Sequence, residues 1–342
     1  MLDGLSFPLS LSLFVIAAGV ILVFGTMITR VAAELAKVTG LGEALVGALF
    51  LGACTSLPEI ATSATAASAG HADLAMSNAI GSVAGQTAFL ALADMAYRHA
   101  NLEHAAASAE NLMLAAFVLV MLTLPLLALA MPQVSLWGFH PVSVLMLAAY
   151  VQGLRMVSSA HDTPMWLPRR TAETRTEAAE QSAGGPRVWS LWMRFALAGS
   201  ATALGGWLLA VTAVPIATYT GLSETLVGGI LTGLTGSLPE LVTAVVAVRM
   251  GALTLAVGDI LGGNAFDALI VAVSDWAFPG GSIFAAAGRE QGFLLALAAL
   301  LTAILLMGLV YREKHGIANI GLESFLVLSF YIGAFALLLM VG

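Results

Sequence analysis

A short motif that occurs twice, each time inside an apolar stretch, constrains this chain more than any other feature. Residues 52–59 read GACTSLPE and residues 233–240 read GLTGSLPE. Each copy places a helix-breaking proline and a glutamate where a membrane helix is otherwise uniformly apolar. Charged groups at that depth mark ion pathways, and paired interrupted segments mark the site of transporters built from repeats. The motif therefore predicts a cation site in the middle of a bilayer, formed by two related halves.

The composition requires a polytopic membrane protein. Of the 342 residues, 59% are hydrophobic and 10% are charged, whereas soluble domains carry about 25% charged residues. Ten apolar windows are long enough to cross a bilayer. They cover 8–29, 41–67, 72–97, 111–131, 135–156, 188–214, 222–248, 251–276, 291–311 and 319–341. We therefore predict an all-α polytopic membrane protein with ten transmembrane helices, arranged as two inverted five-helix repeats.

One long polar segment divides the chain into these halves. We predict a first repeat over 1–157, a cytoplasmic loop over 158–187 and a second, inverted repeat over 188–342. An odd number of helices in each half turns the second half upside down. With the N-terminus outside, twelve of the 13 Lys and Arg residues fall on the cytoplasmic side and only Arg289 falls outside, as the positive-inside rule expects. Both termini are then outside. The lipid bilayer is the surrounding partner, and no basic run offers a site for nucleic acid.

The two copies of the motif belong to a longer internal repeat. They align at a constant spacing of 181 residues, and the alignment continues without a gap through the next helix, so that it covers 52–94 and 233–275. Gln86 then matches Asp267, and Asp94 matches Asp275. A chance match is not expected to stay in register through a second helix. Asp94 also lies one turn before Arg98, which predicts an ion pair between them.

The repeated motif supplies oxygen ligands. Pro58 and Pro239 lack an N–H, so each frees one helical carbonyl, and such a carbonyl is tolerated at membrane depth only if something satisfies it. Glu59 and Glu240 add two charges, and an all-oxygen set suits a hard cation such as calcium. The same turns contribute further hydroxyls and glycines, namely Thr55, Ser56, Ser237, Gly52, Gly233 and Gly236.

Other polar positions in the following helices are candidates as well. Asp267 is a third acid in mid-helix, and its counterpart is Gln86. Asn78 and Asp259 also align, and for them a packing role and a role beside the site both stay open. The chain offers no catalytic residues or cofactor motif, because no mid-span His or Lys is available to activate Ser56. A cation channel is the remaining alternative class, although channels usually build their pore by oligomerising. Here two repeats in one chain complete one site, so an oligomer is not required.

The doubled Gly-x-x-x-Ser-x-Pro-Glu motif resembles the alpha repeats of the sodium/calcium exchangers, within the cation/calcium antiporter superfamily. The short central loop is similar to the compact prokaryotic type, which implies a prokaryotic inner membrane. The resemblance implies a secondary antiporter that exchanges calcium for sodium by alternating access. It implies calcium shared between Glu59 and Glu240 with the backbone carbonyls of Thr55 and Gly236. It implies flanking sodium sites that use the glutamates together with Thr55, Ser56, Ser82 and Ser237.

The sequence also departs from the family pattern. Asp267 stands where the family has an acid, and Gln86 stands where it often has asparagine. Repeat 1 keeps the hydroxyls of Thr55 and Ser82, whereas repeat 2 has Gly236 and Gly263 at these positions. This loss leaves open a proton-coupled cation antiporter of the same fold, because a proton needs an acid but no cage of oxygens.

Overall fold

The computed structural model describes residues 6–39, 55–97, 101–132, 134–162, 167, 169, 187–251, 253–313 and 321–341. Apart from one isolated bridge between Leu136 and Phe139, the regular structure of these residues is helical. A π-helical turn, Val227–Thr232, joins the short helices Glu224–Leu226 and Gly233–Gly236. The α-helices are α1 Phe7–Thr39, α2 Leu57–Ser68, α3 Ala72–Ala96, α4 Leu102–Ala105, α5 Ala109–Ala130, α6 Pro141–Asp162, α7 Arg187–Thr220, α8 Glu224–Leu226, α9 Gly233–Gly236, α10 Leu238–Met250, α11 Leu253–Ala277, α12 Ile283–Ala286, α13 Arg289–Tyr311 and α14 Leu322–Val341.

The all-α polytopic membrane fold is confirmed. Among the described residues, seven helices are long and apolar enough to cross a membrane, namely α1, α5, α6, α7, α11, α13 and α14. The segments Glu224–Gly236 and Leu238–Arg249 meet the same criteria only when taken together, with a bend of 44° between them, as in a broken span or a re-entrant loop. Helix α3 has 25 residues but carries many polar side chains, and the window 41–67 lies partly outside the described residues. The count of ten helices therefore stays a prediction, as do the repeat boundaries.

The proline motif breaks the span instead of only bending it. Ser237 leaves the helical region with φ -86° and ψ 8°, and α10 then begins at Leu238 with Pro239 in its first turn. Repeat 1 has the same geometry, since Ser56 has φ -77° and ψ 6° before the start of α2. Proline suits the first helical turn because its missing N–H would have no partner there. Each glutamate thus sits in the first turn of a new helix.

Helices α3 and α11 form the centre of the molecule, and they pack against each other and against the helices that carry the motif. Close approach is possible because glycines meet at the crossings: a Cβ on Gly81 would run into the backbone of Gly229. Helix α11 is buried along almost its whole length, and 89% of its most apolar window is inside the protein. The most polar transmembrane residues are therefore shielded from lipid by a shell of apolar helices.

Helices α1 and α7 form a separate pair. They pack chiefly against each other, through small apolar clusters such as the one that contains Ile21 and Leu209, distinct from the main core. Their outer faces expose large apolar side chains, with Val23 and Leu204 both more than 60% exposed, as expected for surfaces that face lipid tails. This pair touches the core mainly through α1 on α10 and α7 on α2.

Asp94 and Asp275 cap helices with their carboxylate oxygens. Asp94 Oδ1 accepts from the N–H of Leu102 at 2.7 Å, and its Oδ2 accepts from the N–H of Gly321 at 3.1 Å. Both oxygens therefore stabilise helix starts, at α4 and α14. Arg98 itself lies outside the described residues. The ion pair of Asp94 with Arg98 therefore stays a prediction, and the described partners of the carboxylate are two backbone donors from elsewhere in the fold.

The partner aspartate in repeat 2 makes the equivalent contacts. Asp275 accepts from the N–H of Ile283 at 2.7 Å and from the N–H of His140 at 2.7 Å, and Ser143 adds a hydroxyl donor at 2.6 Å. Each of these residues lies at the repeat spacing from its counterpart around Asp94. Each aspartate caps a helix of its own half and the last long helix of the other half. The repeat relation therefore extends well beyond the two motifs.

Candidate ion-binding site

The two glutamates of the motif lie buried in the centre of the protein. Glu59 on α2 and Glu240 on α10 are both 0% exposed, and so are Gln86 on α3 and Asp267 on α11. Glu59 experiences electrostatic repulsion from both Glu240 and Asp267. The structure thus brings together the four residues that repeat alignment had paired only along the sequence.

A chain of hydrogen bonds joins the two halves at this place. The Ser237 hydroxyl donates to Glu59 Oε1 at 3.0 Å. The side-chain amide of Gln86 donates to Ser237 Oγ at 3.2 Å and to Asp267 Oδ2 at 2.7 Å. These bonds connect helices of opposite repeats, so the site exists only where the two halves meet.

Several oxygens at the site accept no hydrogen bond from the described residues. They are Glu59 Oε2, Gln86 Oε1, Asp267 Oδ1 and both carboxylate oxygens of Glu240. The Thr55 hydroxyl lies close enough to interact with Glu240, and the Ser56 hydroxyl does the same with Asp267. Buried acceptors without donors are costly in a low-dielectric interior. Helices α2, α3 and α11 contain no Lys or Arg, so the arrangement favours a bound cation.

The acids do not form a compact cluster of three. Among the residues that the structure describes, no three His, Cys, Asp or Glu side chains are placed to hold one metal ion together. An ion between Glu59 and Glu240 would therefore have to draw its remaining oxygens from hydroxyls and main-chain carbonyls. Calcium takes six to eight such oxygens, so mixed donors of this kind fit its chemistry. Asp267 stays a predicted ligand of a neighbouring position.

Three other predicted site residues have clear packing roles. Ser82 donates to the carbonyl of Asn78 at 2.9 Å and lies 3.4 Å from that of Gly233. A Cβ on Gly233 would lie 3.1 Å from the Ser82 nitrogen, so glycine lets α9 approach α3. A Cβ on Gly236 would lie 2.9 Å from Glu59 Oε1, so this glycine makes room for the carboxylate. Their roles as ligands stay predictions, and Gly52 lies outside the described residues.

Two glycines that sequence reasoning missed also belong to the surroundings of the site. A Cβ on Gly25 of α1 would collide with the ring of Pro239, and a Cβ on Gly206 of α7 would collide with the backbone of Pro58. These glycines are related by the repeat spacing, and that coincidence was the available signal. The α1–α7 pair therefore rests directly on the two helix breaks that carry the glutamates.

Titratable groups outside the spans lie at the ends of the core helices. His71 Nδ1 contacts Glu224 Oε1 at 2.7 Å, and this hydrogen bond raises the pKa of His71. Glu103 on α4 accepts from the Ser324 hydroxyl at 3.0 Å. Burial, and then the charge of Asp94, raise the pKa of Glu103 to about 8. Neither group touches the central site.

Comparison with known proteins gives a consistent result. The family model described as sodium/calcium exchanger protein matches residues 9–157 and 190–340. CaxA of Alkalimonas amylolytica, which is named as an antiporter, is 29% identical over 315 residues, covering 88% of this chain and 90% of that protein.

Solved structures of the sodium-calcium exchanger NCX_Mj share the fold. One, soaked with 100 mM Na+ and 10 mM Sr2+, has a TM-score of 0.63 at 20% identity and covers 97% of this chain and 99% of its own. Another, soaked with zero Na+ and Ca2+, has a TM-score of 0.62 at 21% identity and covers 97% of this chain and 100% of its own. The family model spans both halves of the chain and both copies of the motif. The chain belongs to the sodium/calcium exchanger family.

Proposed function

We propose that this protein is a secondary antiporter that exchanges calcium for sodium by alternating access. One observation carries the proposal: Glu59 and Glu240, each in the first turn after a helix break, are fully buried near each other, and three of their four carboxylate oxygens accept no hydrogen bond within the part of the chain that the structure describes. Two charges and surrounding carbonyls can replace the hydration shell of a divalent ion. Calcium would lie between the glutamates, helped by the carbonyls of Thr55 and Gly236.

Sodium would use the same region at a different moment of the cycle. Its oxygens would come from the two glutamates and from the hydroxyls of Thr55, Ser56, Ser82 and Ser237. Because both ions need the same carboxylates, they compete, and competition for one site is what couples their opposite movements. Access would alternate when the α1–α7 pair moves across the breaks at Pro58 and Pro239, which fits the general pattern of one bundle rocking around a fixed site.

Proton coupling is the second candidate, favoured by a specific feature of repeat 2. Glycine at 236 and at 263 removes two side-chain oxygens that repeat 1 keeps at the equivalent positions. A site with fewer oxygens holds sodium less well. We expect fewer sodium ions per calcium than the family pattern implies, or partial replacement of sodium by protons on the carboxylates.

The decisive experiment is calcium-45 uptake into proteoliposomes that contain the purified protein. Uptake is measured under an imposed sodium gradient, then under an imposed proton gradient, and with protein-free liposomes as the control. Uptake driven by the sodium gradient supports sodium exchange, and uptake driven only by the proton gradient supports the alternative. Calcium movement that follows its own gradient and ignores both others would indicate a channel and refute antiport.

We further propose that the protein lies in a prokaryotic inner membrane, with both termini outside and the 158–187 loop in the cytoplasm. The distribution of Lys and Arg supports this orientation. The two halves, 1–157 and 188–342, would then be inverted relative to each other. One chain would suffice for transport, since both halves of the site come from it.

A further inference from the structure

Asp259 is a buried acid that the exchange site described above does not use. It lies on α11, is 0% exposed, and neither of its carboxylate oxygens accepts a hydrogen bond from the described residues. Other buried acids of the same helix differ from it. Asp275 has backbone and hydroxyl donors, and Asp267 has the Gln86 amide. Of these three acids, Asp259 is the one whose two carboxylate oxygens both accept no hydrogen bond from the described residues.

The repeat partner of Asp259 shows what repeat 2 has lost. Asn78 occupies the equivalent position on α3, where its amide donates to the main-chain carbonyl of Glu59 at 3.3 Å and to the Ser63 hydroxyl at 2.9 Å. In repeat 2 the asparagine is Asp259 and the serine is Ala244. An ionised carboxylate can only accept hydrogen bonds. Exchanging the amide for a carboxylate has thus turned a donor into a charged acceptor and removed the hydroxyl beside it.

The electrostatic surroundings of Asp259 add to the energetic cost of its negative charge. The charge of Asp259 acts on Glu240 by electrostatic repulsion, so the two buried carboxylates influence each other. Of the long helices that pack against α11, α2, α3 and α5 contain no Lys or Arg, and the arginines of α6 and α10, Arg155 and Arg249, are exposed. An unpaired ionised carboxylate inside a protein carries a large desolvation penalty, even after relaxation. A small cation that binds to Asp259 removes this cost.

We propose that Asp259 binds one monovalent cation, a proton or a sodium ion, in each transport cycle, at a position that repeat 1 lacks. The inference rests on the proposed antiport function and assigns one of its coupled ions. When calcium neutralises Glu240, the repulsion on Asp259 falls and its monovalent cation is released. When calcium leaves, the cation returns. By thermodynamic reciprocity, the cation on Asp259 weakens calcium binding by the same factor by which calcium weakens the cation.

The test is Asp259→Asn, which gives repeat 2 the residue that repeat 1 has and nearly preserves side-chain size. Asp275→Asn is the matched control, because it makes the same substitution in an equally buried residue of the same helix. The purified variants are checked for monodispersity by size-exclusion chromatography. In proteoliposomes, the calcium gradient that balances an imposed sodium or proton gradient is then measured at zero membrane potential.

We expect Asp259→Asn to move one monovalent cation fewer per calcium. At balance, the ratio of calcium concentrations across the membrane then follows the ratio of sodium concentrations, or of proton concentrations, with an exponent that is lower by one. The ion whose exponent changes is the cation that Asp259 binds. Asp275→Asn should keep both dependences while lowering thermal stability. If the balancing calcium gradient of Asp259→Asn equals that of the unmodified protein in both the sodium and the proton experiment, Asp259 binds no coupled cation and the inference is wrong.

A second measurement covers the case in which Asp259→Asn does not transport. Calcium binding to the detergent-solubilised protein is titrated against sodium at several pH values. If one sodium ion or one proton fewer competes with calcium in Asp259→Asn than in the unmodified protein, the inference is supported. If the competition is unchanged, the inference is overturned. Failure of the proposed function looks different, because the unmodified protein itself would then show no calcium flux driven by sodium or protons.

Discussion

The side-chain amide of Gln86 donates to the carboxylate of Asp267 at 2.7 Å, and these two residues are equivalent positions of the internal repeat, 181 residues apart. Two equivalent residues touch only where the axis that relates the halves passes between them. The contact therefore locates the centre of the molecule, beside Glu59 and Ser237. It also shows that the halves are chemically unequal at the axis, since one supplies an amide and the other an acid.

Neutralising either central glutamate should abolish calcium transport. Glu59→Gln and Glu240→Gln each remove one of the two charges that replace calcium hydration, and we expect a loss larger than the roughly 10–100-fold that indirect partners of metal sites cause. The measurement is calcium-45 exchange in proteoliposomes. Glu290→Gln, the same change at the start of α13, should transport normally. Rapid calcium exchange by either central variant would refute the assigned site.

Adding a methyl group at Gly236 should weaken calcium binding. The new Cβ would lie 2.9 Å from Glu59 Oε1, so the carboxylate has to move away from its bond with Ser237. Overpacking of this kind typically costs about 1–3 kcal/mol, and we expect Gly236→Ala to weaken calcium binding correspondingly. Isothermal titration of the detergent-solubilised protein measures it. Gly292→Ala, where a Cβ meets nothing within 4 Å, is the control, and equal affinities would contradict the prediction.

Small residues at the contacts of the α1–α7 pair should be required for transport but not for binding. Gly25→Ala and Gly206→Ala push the pair off Pro239 and Pro58, which hinders movement across the breaks. We expect slower calcium exchange with nearly unchanged calcium affinity. Gly19→Ala on α1, where a Cβ has no neighbour within 4 Å, should exchange at the normal rate. Full turnover in both contact variants would argue against this pair as the moving unit.

The pair can also be immobilised by disulfide crosslinking. In the described part of the chain, α1 packs on α10 and α7 packs on α2. Engineered cysteine pairs across those two interfaces, in a Cys54→Ala background, should stop transport and leave ion binding intact. Reduction of the crosslink should restore transport, which separates immobilisation from misfolding.

Glu103 should make the protein less stable as pH rises. Burial and the charge of Asp94 raise the Glu103 pKa from 4.5 to about 8, so between these values the folded protein holds a proton that the unfolded chain has released. Stability then falls as pH rises across this window and levels off above it. Glu323 also acts on Glu103. In Glu103→Gln this decline in the melting temperature should be smaller. A decline as steep as that of the unmodified protein would show that Glu103 is not responsible.

The orientation in the membrane can be tested by labelling. We expect an impermeant thiol reagent to miss a cysteine at Ser182 in intact cells, in a Cys54→Ala background, because the loop is predicted to be cytoplasmic. The motive is the concentration of Lys and Arg on one side. Labelling after permeabilisation is the positive control, and ready labelling without it would overturn the orientation.

Much of the site follows from sequence because its signals are local or periodic. Glutamate directly after proline in an apolar stretch predicts a helix break with a buried charge, and the structure places Glu59 and Glu240 there. The repeat spacing paired Gln86 with Asp267 before their contact was known. Local reasoning did not identify the two backbone donors of Asp94, at Leu102 and Gly321, because they belong to other elements.

The sequence by itself determined that this is a polytopic helical membrane protein of two related halves. It also determined which acids follow the prolines that break its apolar helices. Hydropathy and repeat spacing are properties of the chain read in order, so they require no knowledge of packing. Only the tertiary structure decided that Gly236 makes room for Glu59, that Gly25 and Gly206 rest on the prolines, and that Asp259 is buried without a donor among the described residues. Those relations depend on how distant helices meet across the axis between the halves, and no local pattern encodes that geometry.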